Sequence, residues 1–169
     1  MKKRGFTLAE ILVSLGVIGV VSALTLPTFI SNTQTRTHET TANTSVMAIE
    51  NAIGNIFAQD GANTLNETEI VNIPDNVADT DTGKFLTRLD EFLKSNENVD
   101  RNLNPNPNGT PRMLKNGSIA SFDIDDIDAE ANDIAGTVTI DTNGAARPNI
   151  NNIDRFTYNL MGNGELVRQ

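Results

Sequence analysis

The chain has 169 residues, a formal net charge of −9 and no cysteine. The length predicts one modest domain, and the lack of cysteine excludes disulfides, thiol chemistry and cysteine-based metal sites. An acidic surface repels a phosphate backbone, so nucleic acid is not expected as a partner.

The N-terminal segment joins a basic start to a long apolar run. Lys2, Lys3 and Arg4 precede the 25 residues from Phe6 to Ile30, in which Glu10 is the only charged side chain. This run is long enough to cross a bilayer as a helix, and the basic residues favour a cytoplasmic N-terminus. A secretory signal peptide is the alternative, but its apolar core is shorter, and an acid inside it would be unusual.

The stretch "KKRGFTLAEILVSLGVIGVVSALTLP" resembles the N-terminus of type IV pilins and pseudopilins. In that family a short basic leader ends in glycine, and prepilin peptidase cuts after it and methylates the new terminal residue. The resemblance implies cleavage between Gly5 and Phe6, an assembly role for Glu10 and a helix kink at Pro27. It also implies two kinds of partner, the peptidase and other pilin or pseudopilin subunits in a homo- or heteropolymer.

The resemblance implies an α+β, pilin-like fold, in which a long N-terminal helix with a membrane-embedded first half packs on a small antiparallel β-sheet head. The predicted parts are a leader (1–5), a transmembrane and polymerisation helix (6–30), a helix continuation on the head (31–59) and a soluble α+β head (60–169). The protein would cross the bacterial inner membrane once. Its head would lie outside the cytoplasm, in a periplasmic or cell-surface filament after assembly.

A single acid in an apolar helix needs a physical reason. Phe6 and Glu10 are four residues apart and share a helix face, and cleavage would create an amino group at Phe6. A charge in the bilayer costs about 2.5–3.5 kcal/mol on insertion scales. The resemblance implies that Glu10 pairs with the amino terminus of a neighbouring subunit, which would offset that cost on docking. The alternative is a carboxylate that only snorkels to the interface.

Two helical patterns and a polar stretch follow the apolar run. Residues 31–45 are polar on every side, so they form either a solvated continuation of the helix or a loosened joint, and His38 is expected to be solvated. Helical spacing then predicts an amphipathic helix that ends at Asp60 and Gly61, and a second one over residues 82–95. The apolar positions of the first are Val46, Ile49, Ile53, Ile56 and Phe57.

The C-terminal third is punctuated by Asn-Gly pairs at 116–117, 143–144 and 163–164. Between them, "SIASFDI", "TVTID" and "RFTYNLM", followed by "ELV", predict an antiparallel sheet of three or four short strands. Three prolines and an Asn-Gly pair predict that 102–111 is a loop.

Two acidic regions are candidate cation sites. The acids from Asp123 to Asp133 do not follow the EF-hand spacing, so a solvated loop is expected there. A second set offers oxygen ligands around a turn fixed by Gly144 and Pro148. This set resembles the C-terminal loop with which type II secretion pseudopilins bind calcium. The alternative is that these side chains make and cap turns. The second set is Asp141, Asn143, Asn149 and Asp154.

No catalytic arrangement is visible in the sequence, so an enzyme is not expected. The favoured function is a structural subunit of a type IV pilus, a type II secretion pseudopilus or a DNA-uptake machine. The lack of cysteine removes the C-terminal disulfide loop of many adhesive pilins and favours a pseudopilin or minor pilin. The alternative is a membrane-anchored extracellular binding module with a calcium-stabilised head; calcium is the one cofactor under consideration.

Overall fold

The computed structural model describes residues 6–97, 99–144, 146 and 149–169. The leader residue Gly5 and the turn residue Pro148 lie outside the described residues. The chain divides into two compact units, one ending at Thr37 and the other running from His38 to Gln169. The elements are α1 (Leu8–Asp60), three 3-10 helices (Leu65–Glu67, Glu69–Asn72 and Arg101–Leu103), α2 (Asp81–Leu89), and the strands β1 (Thr110–Met113), β2 (Ile119–Ile124), β3 (Ile134–Asp141), β4 (Arg155–Met161) and β5 (Leu166–Arg168).

The polar stretch 31–45 is helical and forms part of α1, so the helical alternative is correct and the loosened joint is not. Its threonine hydroxyls donate to the carbonyl four residues earlier, over 2.9 Å from Thr33 to Phe29 and 2.9 Å from Thr37 to Thr33. These hydroxyls are therefore satisfied within the helix itself.

The C-terminal part of α1 buries one stripe in the core of the second unit. Ile49, Ile53 and Ile56 are almost fully buried, and burial of each such side chain stabilises the fold by about 1.5–3 kcal/mol. The Glu50 carboxylate accepts a hydrogen bond from the Leu166 amide over 3.0 Å and links the helix to β5. The buried stripe consists of Ala42, Ser45, Ile49, Ala52, Ile53 and Ile56, which matches the predicted helical spacing.

The five strands form one antiparallel sheet in chain order, so each strand pairs with the next along the chain. Asn-Gly turns join β1 to β2 and β4 to β5, and Gly117 (φ 85°) and Gly164 (φ 83°) adopt the left-handed conformation that glycine tolerates. In β4, buried residues alternate with half-buried ones, as expected for one face on the core. The predicted pilin-like α+β architecture, a long N-terminal apolar helix with an antiparallel sheet, is confirmed.

Strand β1 corrects two predictions, the number of strands and the loop over residues 102–111. The prediction assigned Thr110 and Pro111 to a loop, whereas both pair with β2, Thr110 opposite Phe122 and Pro111 opposite Ser121. β1 is an edge strand, the place in a sheet where a proline without an amide hydrogen is tolerated. The sheet therefore has five strands rather than three or four.

Two further predictions need correction. α2 ends at Leu89 rather than continuing to 95, and the chain then turns, with the amides of Phe92 and Leu93 both donating to the Leu89 carbonyl. His38 is half-buried rather than solvated, with its Nδ1 2.8 Å from the Thr142 hydroxyl. The histidine was misjudged because its partner lies 104 residues away in the sequence.

Candidate functional site

The first unit leaves its apolar side chains uncovered. Every Phe, Leu, Ile and Val from Phe6 to Ile30 is exposed, including Phe6 at 84% and Leu8 at 78%. This stretch of α1 is long and apolar enough to cross a membrane. Exposed apolar surface of this extent marks a membrane or protein contact.

Glu10 belongs to a capping box at the start of α1. Its carboxylate Oε2 accepts hydrogen bonds from the amide and the hydroxyl of Thr7, both over 2.8 Å. The Glu10 amide donates in return to the Thr7 hydroxyl over 3.3 Å. The pair satisfies amides that the first helical turn leaves without partners. Thr7 was not singled out from the sequence, although the T-x-x-E spacing before an apolar run is the signature of this motif.

Two hydroxyl groups inside the apolar segment are bonded within the helix. The Ser14 hydroxyl donates to the Glu10 carbonyl over 2.8 Å, and the Thr25 hydroxyl donates to the Val21 carbonyl over 2.9 Å. Such bonds remove the cost of placing a free hydroxyl in hydrocarbon. Pro27 lies inside α1 and has no amide hydrogen, so the helical bond to the carbonyl four residues earlier is missing at this point.

The candidate calcium ligands lie around the loop between β3 and β4. Asp141 is fully buried and Asp154 is 1% exposed, while Asn149 is exposed. Asn143 connects Asp141 to Asp154. Its backbone amide donates to Asp141 Oδ1 (3.2 Å), and its side-chain Nδ2 donates to Asp154 Oδ2 (2.8 Å). Three of the four residues thus form one hydrogen-bonded network.

The bonds of this network are those of a capped turn. Asp154 Oδ1 accepts from the Ile150 amide over 2.5 Å, so both of its carboxylate oxygens are used. Asp141 Oδ2 is buried and accepts no hydrogen bond within the described residues, and Nη2 of Arg155 lies 3.8 Å from it. Burial raises the pKa of the Asp141 carboxyl, and the nearby charge of Asp154 adds to the rise, while the Asn143 amide and Arg155 oppose it. The described part of the chain holds no group of three or more His, Cys, Asp or Glu placed to bind a metal.

The architecture, an apolar N-terminal helix joined to an α+β head, is pilin-like. Comparison with protein families adds the motif itself: residues 1–26 match the prokaryotic N-terminal methylation motif. This match supports a type IV pilin-like prepilin segment and implies processing by prepilin peptidase and assembly with pilin subunits in a membrane. Comparisons with curated proteins and with solved structures find no match.

Proposed function

We propose that this chain is a structural, non-enzymatic subunit of a pilin-type filament. Prepilin peptidase removes residues 1–5 and methylates Phe6, and the apolar segment then anchors the subunit and later joins it to its neighbours. The methylation motif at residues 1–26 is the observation that carries this proposal.

The dimensions of the apolar segment support the anchor. At 1.5 Å per residue, the 25 residues from Phe6 to Ile30 make a helix of about 37 Å, and the hydrocarbon core is about 30 Å thick. Its side chains are exposed in the described chain, so lipid or neighbouring helices have surface to cover. The basic leader favours a cytoplasmic start, with a single pass through the inner membrane and an outward head.

The hydrogen bonds of Glu10 support its role in assembly. Within the described residues both side-chain bonds to Thr7 end on Oε2, which leaves Oε1 for a second donor. The new amino group at Phe6 of a neighbouring subunit supplies that donor. Pairing offsets the insertion cost of the carboxylate only when a subunit docks, so Glu10 sets the register of the filament. Pro27 supplies the weak point at which the helix bends during packing.

The test of processing is the mass of the mature chain. Protein purified from cells with active prepilin peptidase should lack residues 1–5 and carry one methyl group on Phe6. A Gly5→Leu variant, or a peptidase-deficient host, should leave Met1 in place. A chain that keeps Met1 in the presence of active peptidase contradicts the proposal.

The lack of cysteine and the small head favour a pseudopilin or minor pilin of a type IV pilus, type II secretion or DNA-uptake machine. Removing the leader takes away three of 13 basic residues and leaves 10 − 22 = −12 from Lys, Arg, Asp and Glu. An acidic head of this kind keeps filaments soluble and apart. Deletion of the gene separates the machines: loss of surface pili, of a secreted enzyme or of DNA uptake identifies the one that it serves.

A second candidate is a membrane-anchored binding module whose head is stabilised by calcium at the β3–β4 loop. The buried Asp141 oxygen without a hydrogen bond favours it, because calcium prefers carboxylate oxygen. Calcium would have to displace the donors that now occupy Asp154. Full-length protein in detergent should then melt at a higher temperature in millimolar calcium than in EDTA, and Asp141→Asn should abolish the difference. An unchanged melting temperature contradicts the site.

A further inference from the structure

An apolar groove with two lysines lies at one end of the head. Its walls come from α1, from the turn after α2 and from the turn between β1 and β2. The groove encloses about 250 Å³, and its floor reaches the core through Leu93 and Leu114, each 6% exposed. Its lining residues are Ala48, Phe92, Leu93, Lys94, Leu114 and Lys115.

The two lysines differ from most basic side chains of the head. Within the described residues, neither Lys94 nor Lys115 forms an ion pair, and both are exposed. The nearby acid Glu97 lines a separate cavity with Asp90. The ion-paired basic residues are Lys84, Arg88, Arg112 and Arg155. The groove is therefore a cationic spot on an acidic protein, with charge available to a partner.

The opposite end of the sheet carries negative charge around an exposed apolar side chain, which complements the positively charged apolar groove. Ile134 at the start of β3 is 54% exposed, on the face of the strand opposite to the buried Ala135. The β2–β3 loop and the β4–β5 turn, which lie at this end of the sheet, carry exposed acids. The exposed acids of this end are Asp125, Asp126, Asp128, Glu130, Asp133 and Glu165.

The strand register places the two surfaces at opposite ends of the head. β2 begins at Ile119, next to the lysine-bearing turn, and finishes at Ile124, next to the acidic loop. Ile119 pairs with Asp141 at the end of β3, whereas Ile134 starts that strand and pairs with Met161. The six residues of β2 span about 20 Å, so the surfaces of one subunit are too far apart to meet each other.

We propose that the groove binds the acidic end of a second copy of this chain. Ile134 of one subunit enters the apolar floor, and Glu130 and Asp133 pair with Lys94 and Lys115. The contact joins two different surfaces, so it is heterologous and leaves one free groove and one free acidic end on each pair. Such a contact is not the closed two-fold contact of a dimer, and it extends into an open chain of heads when its rotation does not close a ring. The inference rests on the proposed polymer and adds the head surfaces that order it.

The first experiment crosslinks the full-length wild-type chain in filaments sheared from its native host. A zero-length carbodiimide reagent joins lysine amines to carboxylates in direct contact. Mass spectrometry should then find Lys94 or Lys115 joined to Glu130 or Asp133. Because these groups lie at opposite ends of one head, each such link is between subunits.

The second experiment reverses the charges in the full-length chain. The Lys94→Glu, Lys115→Glu variant should lower filament yield by about tenfold or more, because like charges across an interface strongly disfavour binding. Adding Glu130→Lys and Asp133→Lys to the same chain restores both the complementarity and the original net charge, so the yield should recover. Asp79→Lys, at an exposed acid outside both surfaces, is the control and should leave the yield unchanged.

The outcomes separate this contact from the polymer itself. If electron microscopy shows wild-type filaments, but the crosslinks are missing and charge reversal has no effect, the contact is wrong and the polymer stands. If the mature wild-type chain enters no filament, either alone or with other pilin subunits, both proposals fail. Crosslinks from the two lysines to a different protein also overturn the contact between copies.

Discussion

Thr7 and Glu10 hold each other at the first turn of α1, with the Thr7 amide and hydroxyl each 2.8 Å from Glu10 Oε2. The carboxylate is thereby fixed near the N-terminus of its own helix, where the helix dipole favours negative charge. In the proposed mature chain, the new terminus at Phe6 lies one residue before Thr7. The same carboxylate can then cap its own helix and face the terminus of a neighbour.

The first prediction separates membrane insertion from assembly. Glu10→Leu should insert as well as wild type, because it removes a charge from an apolar segment. It should form few or no filaments, since the neighbour's amino group loses its partner. Membrane fractionation measures the first property and the yield of sheared filaments measures the second. Filament formation by Glu10→Leu at the wild-type level would rule out the docking role.

Thr7 gives a second prediction on the same motif. Thr7→Ala should reduce filament yield while leaving processing intact, because it removes one of the two donors that orient Glu10. Thr7→Ser keeps a capping hydroxyl and is the matched control. Equal yields for the alanine and serine variants would show that the cap does not position the carboxylate.

The fold was predictable where local signals agree with tertiary packing. Short stretches of sequence were enough to predict the buried isoleucine stripe of α1 and the Asn-Gly turns at Gly117 and Gly164. β1 was missed because its strand depends on pairing with β2, and a four-residue segment that contains Pro111 has no strand signal of its own. In such segments, pairing with a distant strand determines whether a strand forms.

A buried hydroxyl pair links α1 to the β1–β2 turn and gives a stability prediction. Ser45 and Ser118 are fully buried with their Oγ atoms 2.8 Å apart, and Asn116 Nδ2 donates to Ser45 Oγ over 2.9 Å. Ser45→Ala removes these two hydrogen bonds between α1 and the turn, while Ser118 Oγ keeps its bond to Asn116 Oδ1. At about 0.5–1.5 kcal/mol for each bond, the free energy of unfolding should fall by about 1–3 kcal/mol. Thermal unfolding of the full-length protein in detergent measures this loss.

The matched control for Ser45 is its exposed neighbour Thr44, whose hydroxyl donates to the Thr40 carbonyl of the same helix. Thr44→Ala should change the free energy of unfolding by no more than about 0.5 kcal/mol. Equal effects from both variants would mean that the buried pair contributes nothing specific to the packing of α1.

Two glycines should respond to alanine in opposite directions. Gly54 lies in α1 with nothing within 4 Å of an added Cβ, so Gly54→Ala should stabilise the fold by about 0.5–1 kcal/mol. At Gly164, φ is +83° and the new Cβ would lie 2.6 Å from Ile53 Cγ2. Gly164→Ala should therefore destabilise by about 1–3 kcal/mol. Denaturant unfolding of both variants tests the pair, and effects of the same sign would contradict the predicted packing.

The candidate site was predictable only in part. The sequence marks Glu10 because an acid in an apolar run is conspicuous, and Thr7 could have been found from the capping-box spacing. The two surfaces at Lys115 and Ile134 have no such signal. Their separation follows from the register of β2 and β3, which fixes which loops share an end of the sheet.

The last prediction concerns the pH dependence of stability. Burial raises the pKa of Asp141 above its ordinary value, so the folded chain binds that proton more tightly than the unfolded chain. This group therefore favours folding most at pH values below its unfolded pKa of about 3.9. Its contribution is lost as the pH rises from there through the raised folded pKa.

The variant Asp141→Asn tests this prediction because it removes the titrating group and keeps an oxygen acceptor. In EDTA, it should unfold at a higher temperature than wild type at pH 7, and the difference should shrink as the pH falls into the acidic range. The exposed Asp79→Asn is the control and should follow the wild-type profile. A loss of stability in Asp141→Asn at pH 7 would mean that the ion pair with Arg155 outweighs the cost of burial.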